Sequence, residues 1–233
     1  MRRIAAVLLV ALAFGCGESA GGPFIIGGGG TGATRIRFFH AVADGPNLQL
    51  LKDGQTDLGE IGFGSITPYV QIDQPGVQLT LQSALSVTPI ADTNVTLPDT
   101  SLITVIAEGP DSAIQLRFIV DGRASIDTSL IKIRVLHEAF SGGPLDVYIT
   151  APLADLTTAT PTVAGLDFGE ATAYSVLLSG TYQVRLTTAG TKTVVIDSGS
   201  LPLDTADVRT IMVVEATGGG LPLGSILVRD AGT

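Results

Sequence analysis

The chain holds two histidines, and each closes an Arg-x-x-His phrase: Arg37-Phe38-Phe39-His40 and Arg134-Val135-Leu136-His137. Imidazole titrates near neutral pH, so these rings are the first groups to weigh as metal ligands or general bases. A metal needs three or four ligands, yet no His-x-His or His-x-x-x-His spacing and no cysteine lies near either ring. The chain also lacks G-x-S-x-G, H-E-x-x-H and a P-loop. Alternation supplies the competing explanation: Ile36, Phe38 and His40 fall on one face of a strand, and Ile131, Ile133, Val135 and His137 line up in the same way. We therefore expect both rings to pack inside with their N–H groups bonded to loop backbone. On this reading the chain is not an enzyme, and it carries no catalytic residue, metal or cofactor.

The two phrases lie 97 residues apart, from Arg37 to Arg134 and from His40 to His137, and a whole domain travels with each. A second phrase recurs as Phe63-Gly64-x-x-Thr67-x-Tyr69 and Phe168-Gly169-x-x-Thr172-x-Tyr174, now 105 residues apart. The growth reflects a longer loop, Ala151 to Thr162, in the second copy. Tyr69 and Tyr174 could belong to a sugar-stacking surface. Four tyrosines, no tryptophan and 5% aromatic residues make a poor platform, however, and packing with a hydrogen-bonded hydroxyl is the favoured reading. Asp44, Asp53 and Asp121 each sit beside glycine, where aspartate serves a turn. Without EF-hand spacing, calcium is left at most a weak loop site.

These residues need strands to position them. Short apolar runs recur between turns: Leu48 to Lys52 closing at Asp53-Gly54, Leu145 to Thr150, Leu102 to Ala107, Thr210 to Val214, Ile114 to Val120 and Ser225 to Val228. No window after the leader shows sustained helical periodicity. The expected fold is all-β, with two tandem Ig-like antiparallel β-sandwich domains of about seven strands each, at residues 34–122 and 129–230. Asp121 to Ser129 reads as the interdomain linker.

Arg2 and Arg3 precede an apolar run from Ile4 to Phe14, the pattern of a secretory signal peptide over residues 1–15. The run ends at Ala13-Phe14-Gly15-Cys16, which resembles the lipobox of bacterial lipoproteins, with Cys16 as the lipidated residue. Ala11-Leu12-Ala13 offers an ordinary cleavage site as the alternative. The lone cysteine ahead of a Gly-rich stretch favours lipidation, with residues 16–33 as a flexible tether. Gly17 after the cysteine points by resemblance to the outer membrane rather than the inner one. Without Arg2 and Arg3 there are 11 cations against 22 carboxylates, a net charge of −11, which disfavours nucleic acid.

Taken together, R-x-x-H, P-x-D-V-Y and F-G-x-x-T-x-Y resemble the bacterial domain of unknown function 4397 family, found in exported and often lipid-anchored proteins. The second copy carries the pattern through Arg134, His137, Pro144, Asp146, Val147, Tyr148, Phe168, Gly169, Tyr174 and Gly180. In the first copy Gln49 and Leu51 replace the aspartate and tyrosine. The resemblance implies an extracytoplasmic β-sandwich module and brings no activity. The expected function is a non-catalytic cell-envelope lipoprotein that binds, adheres or spaces, held to the membrane by its lipid and facing an envelope protein or glycan. The alternative is a secreted enzyme or sensor accessory that binds a small ligand or glycan through loops at one end of a sandwich.

Overall fold

A computed structural model describes residues 24–25, 33–56, 58–74, 76–124 and 127–231. The signal-peptide and Cys16 readings lie outside them. In the first half, two sheets pack across a core built from alternate residues of each strand. One sheet has the order β5 (Val70–Ile72), β2 (Thr34–His40), β8 (Leu102–Glu108) and β9 (Gln115–Val120). The other runs β1 (Phe24–Ile25), β7 (Pro89–Thr96), β6 (Gly76–Ser83), β3 (Leu48–Lys52) and β4 (Glu60–Ile61). Ile36 and Phe38 of β2 meet Leu48, Leu50, Leu79 and Leu81 of the facing sheet. β1 falls within the stretch read as a free tether and instead pairs with the Val95–Thr96 end of β7.

The second half repeats the plan. The order β13 (Ser175–Leu178), β10 (Leu130–His137), β17 (Val208–Val214) and β18 (Gly224–Ala231) faces β12 (Val163–Leu166), β11 (Leu145–Thr150), β14 (Gly180–Thr188) and β15 (Val194–Asp197), with β16 (Leu201–Leu203) on β14. Ile131, Ile133 and Val135 meet Leu145, Val147, Val184 and Leu186 in its core. The described strands number eight in the first half after β1 and nine in the second, rather than seven.

One feature departs from an antiparallel sandwich. β2 pairs with β8, and β10 with β17, in parallel. Each opening strand is followed by excursions through the facing sheet, and the chain returns to its neighbour from the same end. Parallel pairing gives the fold a direction. The connections 41–47, 62–66, 84–88 and 109–114, with 138–144, 167–171, 189–193 and 215–223, lie at the end where β2, β8, β10 and β17 finish. Residue 33 enters at the other end, where residues 121–124 and 127–129 also lie.

The two sandwiches meet through the outer faces of the β2-β8-β9 and β10-β17-β18 layers. A third apolar cluster forms between them from Phe39, Ala41 and Ile106 of the first half and Leu136, Met212, Val214 and Val228 of the second. Alternation therefore serves two interiors: odd and even residues of β2 are both buried, with Arg35 as the exposed exception.

Candidate functional site

Arg37 and Arg134 project from β2 and β10 into this shared interface and are nearly inaccessible, at 3% exposure each. Burying an unpaired guanidinium would cost several kcal/mol, so its partners define the site. Arg37 donates Nε to Thr104 Oγ1 at 2.8 Å, Nη1 to the Arg229 carbonyl at 3.1 Å and Nη2 to Asp230. Arg134 does the same with Thr210 at 2.9 Å, the Val120 carbonyl at 2.9 Å and Asp121. Each arginine thus crosses to the last strand of the other half. Asp121 also lies 3.3 Å from Arg37, so the two carboxylates and two guanidiniums form one charge-balanced group.

The tyrosines complete it. The Tyr69 ring lies 4.5 Å under the Arg37 guanidinium, and the Tyr174 ring 4.6 Å under that of Arg134, within cation–π range. Tyr69 donates to Asp121 at 2.5 Å and Tyr174 to Asp230 at 2.8 Å, while Thr104 and Thr210 donate to the same carboxylates at 2.6 and 2.5 Å. Burial and the neighbouring carboxylates push both phenols above their ordinary range, against the pull of the arginines. Burial likewise pushes the Asp121 carboxyl up, although Arg37 and Arg134 pull against it. These groups saturate one another.

The second shared phrase holds the first in place. Gly64 and Gly169, both at φ 75°, turn the chain so that their amides reach the carbonyls of His40 at 2.9 Å and His137 at 2.8 Å. At that φ a side chain would be strained. Thr67 Oγ1 accepts the Phe38 amide at 2.9 Å and Thr172 Oγ1 the Val135 amide at 3.0 Å, which stitches each F-G-x-x-T-x-Y segment along its strand and delivers the tyrosine to the arginine. Phe63 stands edge-on to His40 at 6.4 Å, and Phe168 edge-on to Phe140 at 5.3 Å.

The histidines point the other way. Each is inaccessible; Nε2 lies 2.8 Å from the carbonyl of Pro46 or Gly143, and Nδ1 accepts the amide of Val42 at 3.2 Å or Ala139 at 3.3 Å. With Nδ1 accepting, Nε2 carries the proton and donates. Burial lowers both imidazoles below the usual histidine range. His40→Ala and His137→Ala are each expected to lose about 2–3 kcal/mol, from a vacated ring volume and an unpaired loop carbonyl. Thermal melting checks this; unchanged midpoints would contradict it.

Asp146 and Tyr148 do not join the interface. Asp146 accepts the amides of Gly165 and Gly190, both at 2.9 Å, and so ties two loops. Tyr148 is buried and takes Lys192 at 2.9 Å on its hydroxyl. In the first half Gln49 instead accepts from Gln82 at 3.1 Å.

Asp121 corrects the sequence reading most sharply: the Asp-Gly pair marks no mere turn or linker, and its carboxylate is at the centre of the cluster. Asp230, Thr104 and Thr210 were missed altogether. A signal existed, since Phe118-Ile119-Val120-Asp121 and Leu227-Val228-Arg229-Asp230 both place an aspartate within a residue of the end of the last strand of their half. Among the described residues no group of three or more His, Cys, Asp or Glu is placed to hold a metal ion. A groove of about 480 Å³ runs between the halves along Tyr69, Pro68, Ile226 and Arg229, and neither histidine lines it.

The class so defined is an all-β double sandwich whose halves exchange buried arginines. By sequence, residues 34–148 belong to the DUF4397 family, whose model, described as a domain of unknown function, they match. The matched segment spans the first half and ends inside β11. No curated protein matches. Among solved structures, the chain is similar to a family CBM26 domain, CBMbc, from Eubacterium rectale Amy13K, in complex with maltoheptaose. The match has 10% identity and a TM-score of 0.26, covering 84% of this chain and 96% of that one. A superposition that loose assigns neither fold nor ligand.

Proposed function

We propose that the chain is a non-catalytic binding module of the cell envelope, anchored through lipid at Cys16 and presenting its loop end outward. The observation that carries this is a concentration of exposed apolar side chains on the connections of one end, against Leu153 and Leu178 at the other. Leu85 (92% exposed), Val87 (89%), Leu221 (71%) and Phe140 (52%) all sit on connections at the end opposite the entry of residue 33. Large apolar groups exposed at loop tips lose water when a partner covers them. The same connections carry Asp44, Asp111, Asp167, Glu170 and Glu215. Their one basic residue, Lys192, is drawn back onto Tyr148 at 2.9 Å and the Ala159 carbonyl at 2.5 Å. The surface is therefore acidic with apolar tips. An envelope protein suits it better than a glycan, for which stacked exposed aromatics would be needed.

The test has two arms. Cys16→Ser is expected to move the chain from the membrane to the soluble fraction, and continued membrane fractionation would overturn the anchor. The exported chain used as bait in envelope extract is expected to capture a partner that a Leu85→Ser, Val87→Ser, Leu221→Ser variant loses without a change in melting. Equal capture by that variant would overturn the loop-end reading.

A further inference from the structure

The interface is not symmetric at its loop end. Register places Arg117 against Ile106 in the first half and Ile226 against Met212 in the second, so Arg117 and Ile226 are equivalent. By the same registers Glu108 corresponds to Val214, and Glu138, following His137, to Ala41. On one side these positions are apolar and join the shared cluster. On the other, Arg117 donates Nε to Glu108 Oε2 at 2.6 Å and Nη2 to Glu138 Oε1. Glu138 belongs to the second half and is 1% exposed, and its Oε2 is buried with no hydrogen-bond partner.

Two buried carboxylates here share one guanidinium. The second anion has no cation of its own, and low-dielectric surroundings favour its neutral form. Among the described residues Arg117 is the one cation acting on Glu138: Arg134 of β10 is held by Asp121, and Arg209 of β17 and Arg229 of β18 are held by Asp207. β8 brings Glu108 and β9 brings Arg117. The 167–171 loop brings Asp167 and Glu170 and approaches through Gly169, where a β-carbon would lie 3.8 Å from Glu108. The turn after β17 brings Glu215, which accepts the Ser141 amide at 2.8 Å. His137, next in the chain, is turned to the Gly143 carbonyl.

We infer that Glu108, Arg117 and Glu138 form a proton-operated clasp between the halves. One proton on the carboxylate pair holds this end shut, and its loss leaves two anions facing one cation and loosens the interface. Burial pushes the Glu138 carboxyl up to about 8, with Arg117 pulling against it and Glu108 adding to it. A carboxyl raised above its unfolded value of 4.5 contributes stability that is whole below pH 4.5 and is lost as pH rises through about 8.

The experiment is the melting temperature of the full chain between pH 5 and pH 9. The natural chain is expected to fall by roughly 3–5 °C between pH 7 and pH 9; below that, His40 and His137, lowered by burial, lose stability as pH falls and work in the opposite direction. Glu138→Gln, which keeps the shape of the protonated side chain, is expected to remove at least half of the fall; Asp121, also raised by burial, works in the same direction. Glu108→Gln, which leaves Arg117 a single carboxylate, is expected to flatten the profile likewise and serves if Glu138→Gln does not fold. Glu215→Gln is expected to leave the fall in place. A natural chain with no fall, carboxamide variants that keep all of it, or a Glu215→Gln profile as flat as theirs would each overturn the clasp.

Discussion

Asp121→Ala is expected to destabilise the chain by about 3–5 kcal/mol, lowering its melting temperature by roughly 10 °C or more. The magnitude follows from what the carboxylate holds. It takes Arg134 from the other half, stands 3.3 Å from Arg37 and accepts from Tyr69 at 2.5 Å and Thr104 at 2.6 Å. Truncation would leave two guanidiniums sharing Asp230 and would strip a phenol and a hydroxyl of their acceptor. Were Asp121 only a turn residue before Gly122, its loss would cost about 1 kcal/mol or less. Chemical denaturation separates the two outcomes, and Asp230→Ala should follow the same pattern through Arg37, Thr210 and Tyr174.

Residues 34–122 expressed alone are expected to form a dimer at micromolar concentration rather than a stable monomer. The fragment keeps its own core, including Ile36, Phe38, Leu50, Leu81 and Val105. It loses the cover over Phe39, Ala41, Ile106 and the flanking Phe63, Ile66 and Ile119. That exposed face is self-complementary. The cross-half pairs are reciprocal, so two fragments related by a two-fold axis can set Arg37 of one against Asp121 of the other. Glu108 and Arg117 of each would pair within it and face Ala41 of its mate, a balanced arrangement. Sedimentation at twice the fragment mass is the expected result. A monomer as stable as the whole chain would show that the interface contributes little.

Alternation along β2 and β10 made the division of faces legible, with His40 and His137 on one side and Arg37 and Arg134 on the other. It could not tell what covers the second side, because a strand with two buried faces reads the same whether the cover is its own domain or another. Recurrence exposed Phe63, Gly64, Tyr69 and their partners as one phrase, and their bonds show why the spacing recurs: the glycine turns onto the histidine carbonyl and the tyrosine lands under the arginine. Asp121 was hidden by its glycine neighbour, which mimics a turn signal. Glu108, Arg117 and Glu138 were hidden for the opposite reason, since their counterparts are apolar and comparison of the copies passes over them. Parallel pairing of β2 with β8 leaves no mark in hydrophobic periodicity, which is identical in either direction.

The two halves are held as one unit by arginines that cross between them. A double-mutant cycle on Arg134 and Asp121, measured by chemical denaturation of the full chain, tests that most directly. A coupling of about 2 kcal/mol or more between the two substitutions is predicted, since each single change strands a buried charge that the double change removes. Additive effects, with a coupling within about 0.5 kcal/mol of zero, would contradict it.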